Sequence, residues 1–363
     1  MALPSKPKYG ELSWTSFSGL VAALLPLPIV LLWKALTHLF SRTPKSLRRR
    51  LGDHALLYIA SNSNLQQMKY LLGTTSGTYE RWSKAARASM EVDELGGDAK
   101  LLWIGPKSLD RVILVLHGGG YLLPAPDYIF AFYRYIQVEL EKRDMPVGIA
   151  LLQYSLAPFA TFPTPLNQLR LATEFLLASG VSCDRLQLSG DSAGGNLAFQ
   201  FVSHILHPSS TLPEIKIPAP IRGICAISPW VSMSADSPSW MENDGKDTLL
   251  RKSSAEWGRI VRNGFPEEHD SFAEPGKAPS FWFQGIGEVV GNILITAGED
   301  EGLRDDIVGF AEELKRHAHS GAVELVVQEG GLHEDPFLDF FAGEKRVGSL
   351  TTRIVDWFAV GFT

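Results

Sequence analysis

The chain has 363 residues, 45% of them hydrophobic, enough to bury the core of one α/β domain with insertions. Its formal charge of -6 comes from scattered acidic residues, and the lack of an extended basic face argues against nucleic acid as a partner. Cys183 and Cys225 lie in or beside core segments and read as buried free thiols, and no Cys-x-x-Cys or His-Glu-x-x-His pattern asks for a metal, so no cofactor is expected.

Residues 12–33 carry no charge, and from Leu20 to Trp33 the run is almost continuously apolar, long enough to span a bilayer. A single transmembrane anchor is read here ahead of a cleaved signal peptide, for which no small-x-small cleavage site follows, and ahead of a shallow membrane-dipping segment kinked at Pro26 and Pro28. A buried soluble helix is the remaining reading. Lys34, Arg42, Lys45, Arg48, Arg49 and Arg50 follow the run, against Lys6 and Lys8 before it, which places the body on the cytoplasmic side. The absence of an Asn-x-Ser/Thr sequon agrees with that side. The expectation is a membrane segment with its basic flank over residues 1–43, attached to a membrane such as the endoplasmic reticulum, and a folded domain over 44–363. Cap elements are expected near 51–98 and 232–290.

Residues 51–98 are mixed, with a helix through Gln66–Leu72 and a second around Arg81–Met90. Regular alternation then begins. Arg111–Leu116 is a buried strand by its β-branched run, and Ile129, Phe132, Tyr133, Ile136 and Leu140 make an apolar stripe at helical spacing. Strands follow over Val147–Leu152, Arg185–Ser189, Ile221–Ser228, Asn292–Ala297 and Val323–Gln328, with helices over Thr164–Ala178, up to Ile205, and through Ile307, Phe310, Ala311 and Leu314. Such alternation predicts a mostly parallel sheet with helices on both faces and active groups at the carboxyl ends of the strands. The insertion between Ser228 and Asn292 is rich in Trp, including Trp240, Trp257 and Trp282; long connections of this kind often carry function.

Gly190-Asp191-Ser192-Ala193-Gly194-Gly195 lies between a strand and a helix. Small residues on both sides of Ser192 let the chain turn sharply and leave its hydroxyl exposed, a nucleophile elbow. His117-Gly118-Gly119-Gly120-Tyr121 follows a strand directly, and its glycines bring backbone N–H groups close to a ligand. The amides of Gly118, Gly119 and Ala193 are the candidate oxyanion hole. His117 reads as a structural hydrogen-bonding group.

A serine hydroxyl needs an imidazole to take its proton and a carboxylate to hold that imidazole. His333, in the loop after the last strand, is the candidate base. His54, His204, His207, His269, His317 and His319 fall on helices or polar connections. The acid belongs to Gly298–Asp306, where Glu299, Asp300, Glu301, Asp305 and Asp306 are too crowded for spacing to choose among; Asp305 and Asp306 also suit a helix start.

His117–Gly120, Tyr154-Ser155-Leu156-Ala157-Pro158, Phe162-Pro163 and Gly190–Asn196, in that order, resemble the motifs of the hormone-sensitive-lipase-like group of the α/β-hydrolase superfamily over most of residues 100–345. The resemblance implies an α/β-hydrolase fold with a helical cap. It also implies a serine esterase that works through an acyl-enzyme. The group has Asp-Pro-Leu-x-Asp at the acid, from which this chain departs: aligning Leu303-Arg304-Asp305 puts Glu301 at the acid and Gly302 at the proline. Glu301 is therefore the expected acid, with Asp300 the alternative if the loop is one residue longer. With its N-terminal segment the chain is similar to fungal steryl acetyl hydrolases and hydrolases of secondary metabolism, which implies an acetyl or short acyl ester of a lipophilic metabolite or sterol as substrate. An amide or formamide hydrolase, an acyltransferase or a cyclase on the same triad is the alternative chemistry. A non-catalytic small-molecule receptor is the alternative class, against which the retained His333 speaks.

Overall fold

The structure is a computed structural model and describes residues 10–38 and 45–363; Lys6, Lys8 and Arg42, used above for orientation, lie outside the described residues. The apolar N-terminal run forms two helices, α1 (Trp14–Leu24) and α2 (Leu27–His38), broken at Pro26. Together they make a 25-residue segment in which an 18-residue window reaches a mean hydropathy of 2.0, long and apolar enough to cross a membrane. Next come α3 (Leu47–Asn62), α4 (Leu65–Leu72) and α5 (Thr75–Ala86). Asn64 and Gln67 cap α4 reciprocally, side chain to backbone in both directions. The helix expected from Arg81 to Met90 begins earlier and ends at Arg87, which turns into the left-handed region at φ 52°.

The rest alternates: β1 (Glu91–Gly96), β2 (Ala99–Trp103), β3 (Val112–Leu116), α6 (Asp127–Glu141), β4 (Gly148–Gln153), α7 (Thr164–Ala178), β5 (Leu186–Asp191), α8 (Ala193–Leu206) and β6 (Ile221–Ile227). Three short helices of the insertion follow: α9 (Pro238–Glu242), α10 (Arg251–Arg262) and α11 (Asp270–Ala273). The series closes with β7 (Val290–Gly298), α12 (Arg304–His317), β8 (Val323–Gln328), α13 (Asp335–Phe341) and α14 (Ser349–Gly361). The eight strands form one sheet in the order β1-β2-β4-β3-β5-β6-β7-β8. The pairs β1/β2 and β2/β4 are antiparallel and the others parallel.

β1 and β2 are absent from the sequence reading, and 91–98, expected in the cap, belongs instead to the sheet edge. Glu91, Asp93 and Glu94 hide a strand by hydropathy, yet charge on an edge strand is a protection against pairing with other chains. The turn between the strands needs three consecutive left-handed residues, Gly96, Gly97 and Asp98.

The central strands are buried on both faces, every residue of β3 and β5 included, as expected where helices cover both sides of a parallel sheet. Helix α6 lays Ile129, Phe132, Tyr133, Ile136 and Leu140 against one face, as its periodicity predicts. The other face carries α7, α8 and α12 through Leu169, Leu197 and Phe310. Both cysteines are free and buried.

One buried charge cluster ties the helices after the apolar segment to the far end of the chain. Arg49, 5% exposed, donates to Asp53 Oδ1 at 2.7 Å and to Asp339 Oδ1 at 2.8 Å, and is bonded to Asp335 as well. Removing one partner of such a cluster leaves buried charge uncompensated. Arg49→Ala is expected to lower stability by about 3–5 kcal/mol, read as a fall in the urea midpoint without a change in its slope.

Candidate active site

The site begins where β3 and β5 end side by side. Strand β5 runs through Asp191 and α8 starts at Ala193, so the reversal falls on Ser192 alone, which takes φ 47° and ψ -114°. A non-glycine residue holds that conformation only if its surroundings over-determine it. Here the Ser192 amide donates to Ile227 O at 3.0 Å and its carbonyl accepts from Trp230 N at 2.9 Å. The flanking glycines are needed for space: a Cβ at Gly194 would lie 1.8 Å from Leu116 O, and one at Gly190 would lie 2.4 Å from Gly194 O. Asn196 locks the first turn of α8, its side chain donating to Trp230 O and Ala273 O and accepting from Tyr121 OH.

His117 to Gly120 fill the turn after β3. His117 is fully buried, bonds through Nδ1 to Gly118 O at 2.8 Å and stacks on Tyr154 at 4.4 Å; burial lowers its pKa to about 4, so it is a neutral structural group. Ala193 is the first residue of α8, and its N–H has no carbonyl within the helix to bond. Gly118 is placed differently from Gly119 and Ala193: its amide donates to Asp191 Oδ2 at 2.6 Å. It is therefore already engaged, which leaves Gly119 and Ala193 as the donors able to face a ligand.

His333 is 8% exposed and lines the same cavity as Ser192. Its Nδ1 contacts Glu301 Oε2 at 3.0 Å; Glu301 is fully buried, and its Oε1 accepts from Gly298 N at 3.0 Å. The Asp300 amide donates to Gly331 O at 2.8 Å, and the carboxylate bonded to the His333 ring is that of Glu301. Trp240 accounts for the departure at residue 302: a Cβ on Gly302 would lie 2.3 Å from the indole, so the insertion occupies the space that a side chain there would need.

Two carboxylates at the site escaped the sequence reading. Asp247, buried in the insertion, accepts from His333 N at 2.8 Å and Gly302 N at 3.0 Å, clamping the acid loop to the histidine loop. No local pattern marked it. Glu334, next to His333 in sequence, takes a left-handed backbone at φ 56° and puts Oε1 3.7 Å from His333 Nε2. It also adjoins Asp191, whose carboxyl is carried well above the ordinary range by burial, by the charge of Glu334 and by their hydrogen bond.

Burial opposes charge on His333, but the bond to Glu301 and the fields of Glu334, Glu301 and Asp247 prevail and raise its pKa to about 9. No hydrogen bond joins Ser192 Oγ to Nε2 in this structure; Nε2 faces Glu334 instead. Such contacts often form only when a substrate binds.

The cavity holds about 310 Å³ and lies beneath α3, α4 and α10, which contribute Ile59, Leu71, Leu72 and Trp257. Trp257 crowds the glycine turn, 3.0 Å from where a Cβ on Gly120 would stand. Its wall is mostly apolar; besides Ser192, His333 and their neighbours Asp191 and Glu334, the polar side chains on it include Thr248, Ser253 and Ser254 of the insertion.

The sequence profile of the alpha/beta hydrolase fold family matches residues 113–336. The chain belongs to that family. This α/β hydrolase is 28% identical over 210 residues to an acetyl-hydrolase of Streptomyces hygroscopicus, covering 56% of this chain and 62% of that protein. It is 25% identical over 251 residues to a provisionally named steryl acetyl hydrolase of Schizosaccharomyces pombe, covering 65% and 62%. The chain thus spans about three fifths of the length of these relatives (62%). A neutral cholesterol ester hydrolase of Bos taurus is 24% identical over 203 residues, covering 53% and 48%. Among solved structures, an esterase of the bacterial hormone-sensitive lipase family superposes with a TM-score of 0.62 at 19% identity over 97% of this chain and all of that one. A hormone-sensitive lipase from a metagenome library gives 0.66 at 21% identity, over 87% and 98%. At such identities these two likenesses speak for the fold.

Glu334→Gln removes one anionic neighbour of the imidazole. The pKa of His333, followed by NMR titration of its ring protons, is expected to fall by about one unit. An unchanged value would show that Glu334 does not act on the ring.

Proposed function

We propose that this α/β hydrolase is a serine esterase that cleaves an acetyl or short acyl ester of a lipophilic alcohol. One observation carries the reading: a buried imidazole, held through Nδ1 by Glu301, shares a single apolar cavity with a serine on a strained elbow. In the proposed reaction Ser192 Oγ attacks the ester carbonyl while His333 Nε2 accepts its proton. The C–O bond to the alcohol then breaks as His333 returns that proton to the leaving oxygen, giving an acyl-enzyme. Water, deprotonated by the same imidazole, releases the acid. The amides of Gly119 and Ala193 hold the oxyanion, a contribution of several kcal/mol to barrier lowering. Gly118, tied to Asp191, supports the turn that presents Gly119. Glu301, bonded to Nδ1, keeps the ring in the tautomer whose Nε2 is unprotonated and able to accept the serine proton.

The lining of the cavity supports the substrate class. Trp257 and Trp230 stand over the glycine turn and favour a short acyl group, whereas the apolar side chains that α3 and α4 contribute suit a hydrophobic alcohol. The names of the relatives, an acetyl-hydrolase, a steryl acetyl hydrolase and a cholesterol ester hydrolase, point the same way. Helices α1 and α2 would attach the enzyme to a membrane in which such esters dissolve, the endoplasmic reticulum being the expected one.

A fluorophosphonate probe should label the native protein and not Ser192→Ala. On a panel of acetylated and longer-chain lipophilic esters, acetates should be preferred, and Ser192→Ala should lose about 10⁴-fold or more in kcat. Absence of label on the native protein would dismiss the serine mechanism; cleavage of soluble short-chain esters alone would dismiss the substrate class.

Because the base must be neutral to take the serine proton, a pKa near 9 makes the charged ring the inactive form. Activity is therefore predicted to rise with pH through the neutral range and level off above about 9, seen in the pH dependence of kcat/KM.

A further inference from the structure

We propose that α3, α4 and the α13 rim rest on a lipid leaflet, with α1 and α2 lying in its plane, and that the mouth of the Ser192 cavity opens into its hydrocarbon. The proposal rests on the membrane attachment suggested above and says how that attachment serves the site.

The apolar helices do not project from the body. Gln66 Nε2 donates to Glu11 O at 2.9 Å, Gln67 Nε2 to Ser16 O at 3.0 Å and the Tyr58 hydroxyl to Ala23 O at 3.0 Å. Phe17 meets Tyr70 edge to face at 5.9 Å. Tyr58, late in α3, thus meets the chain just before α2, so α2 and α3 run antiparallel side by side. At 16 residues α3 is about 24 Å long, close to the thickness of a bilayer core. Were α2 to cross a membrane in this arrangement, α3 would be drawn through with it, and Arg48, Arg50, His54 and Asn62 would be carried into hydrocarbon.

Lying flat removes that conflict. Trp14, Val21 and Leu25 at the α1 end and Ile29, Leu32, Trp33 and Leu36 on α2 are each at least half exposed and recur at helical spacing within each part, so both helices leave large apolar side chains uncovered. Apolar exposure of this extent on interfacial helices marks a lipid-facing surface. Exposed Arg48, beside half-exposed Leu47, donates to Gly343 O at 3.2 Å and puts a positive charge at the start of α3.

Helices α3 and α4 join that surface to the site. While α3 holds α1 through Tyr58, its Leu56 and Ile59 line the cavity; α4 holds α1 through Gln66 and Gln67, and its Leu71 and Leu72 line it too. Leu71 and Phe341 line the cavity and are also 43% and 36% exposed, so apolar side chains form the rim. An ester dissolved in the leaflet would pass between them without entering water.

The test places single nitroxide labels on the full-length protein bound to vesicles of phosphatidylcholine and phosphatidylserine. Labels go at Trp14→Cys, Leu36→Cys, Leu71→Cys, Phe341→Cys and, at the opposite end of the sheet, Val360→Cys; unsubstituted protein reports background from buried Cys183 and Cys225. Depth is read by power saturation with oxygen against a water-soluble nickel chelate. We expect residues 71 and 341 to sit in lipid, 14 and 36 at similar shallow depth in one leaflet, and 360 in water. Water at 71 and 341, positions 14 and 36 on opposite sides of the midplane, or spin coupling between copies that shields the rim would each overturn the proposal. These labels report position whether or not any ester is cleaved. Failure to bind vesicles would overturn both this proposal and the proposed membrane attachment, leaving the esterase reading standing.

Discussion

Two main-chain segments touch at the centre of this molecule with no side chain between them. The carbonyl of Leu116, at the end of β3, lies where a Cβ on Gly194 would be, and Gly194 in turn closes on Gly190. This contact forces the chain to reverse within one residue at Ser192, and it brings the glycine turn of β3 beside the first amides of α8. The elbow, the donor pair and the cavity floor all follow from it. A single methyl group would separate them.

Around His333 the balance is electrostatic. An isolated buried imidazole loses its charge, as His117 does a short distance away, where burial has no carboxylate to oppose it. His333 is equally enclosed but is faced by Glu301, Glu334 and Asp247, and their combined field outweighs the loss of water. The backbone reinforces this: Glu334 N donates to Ser228 Oγ, and both residues sit in the left-handed region, so strain is concentrated in the loops that aim the carboxylates.

Much of this was legible in the sequence because it depends on local rules. β-Branched runs gave the parallel strands, the stripe from Ile129 to Leu140 gave α6, and small residues around Ser192 gave the elbow. The family likeness, rather than spacing, chose Glu301 from its crowded loop, and the structure puts Glu301, not Asp300, in hydrogen-bond contact with His333. What was hidden depends on long-range contact. Strand β1 was hidden because an edge strand carries charge, and β2, five residues with Lys100 among apolar neighbours, is too short to show a pattern. Asp247 sits in a turn whose sequence says only that it is polar, and its role exists because the insertion folds back over two other loops. Gly118 looked equivalent to Gly119 until the Asp191 side chain was seen to occupy its amide.

The contact between Trp240 and Gly302 also bears on how such a loop changes over time. A proline at 302 and an indole at 240 demand the same volume, so neither can be exchanged singly without passing through an overcrowded or a hollow intermediate. The acid loop and the distant insertion are thus constrained to drift as a pair. In this chain glutamate-glycine with tryptophan is one solution to that packing problem; a proline at 302 would require a smaller side chain at 240.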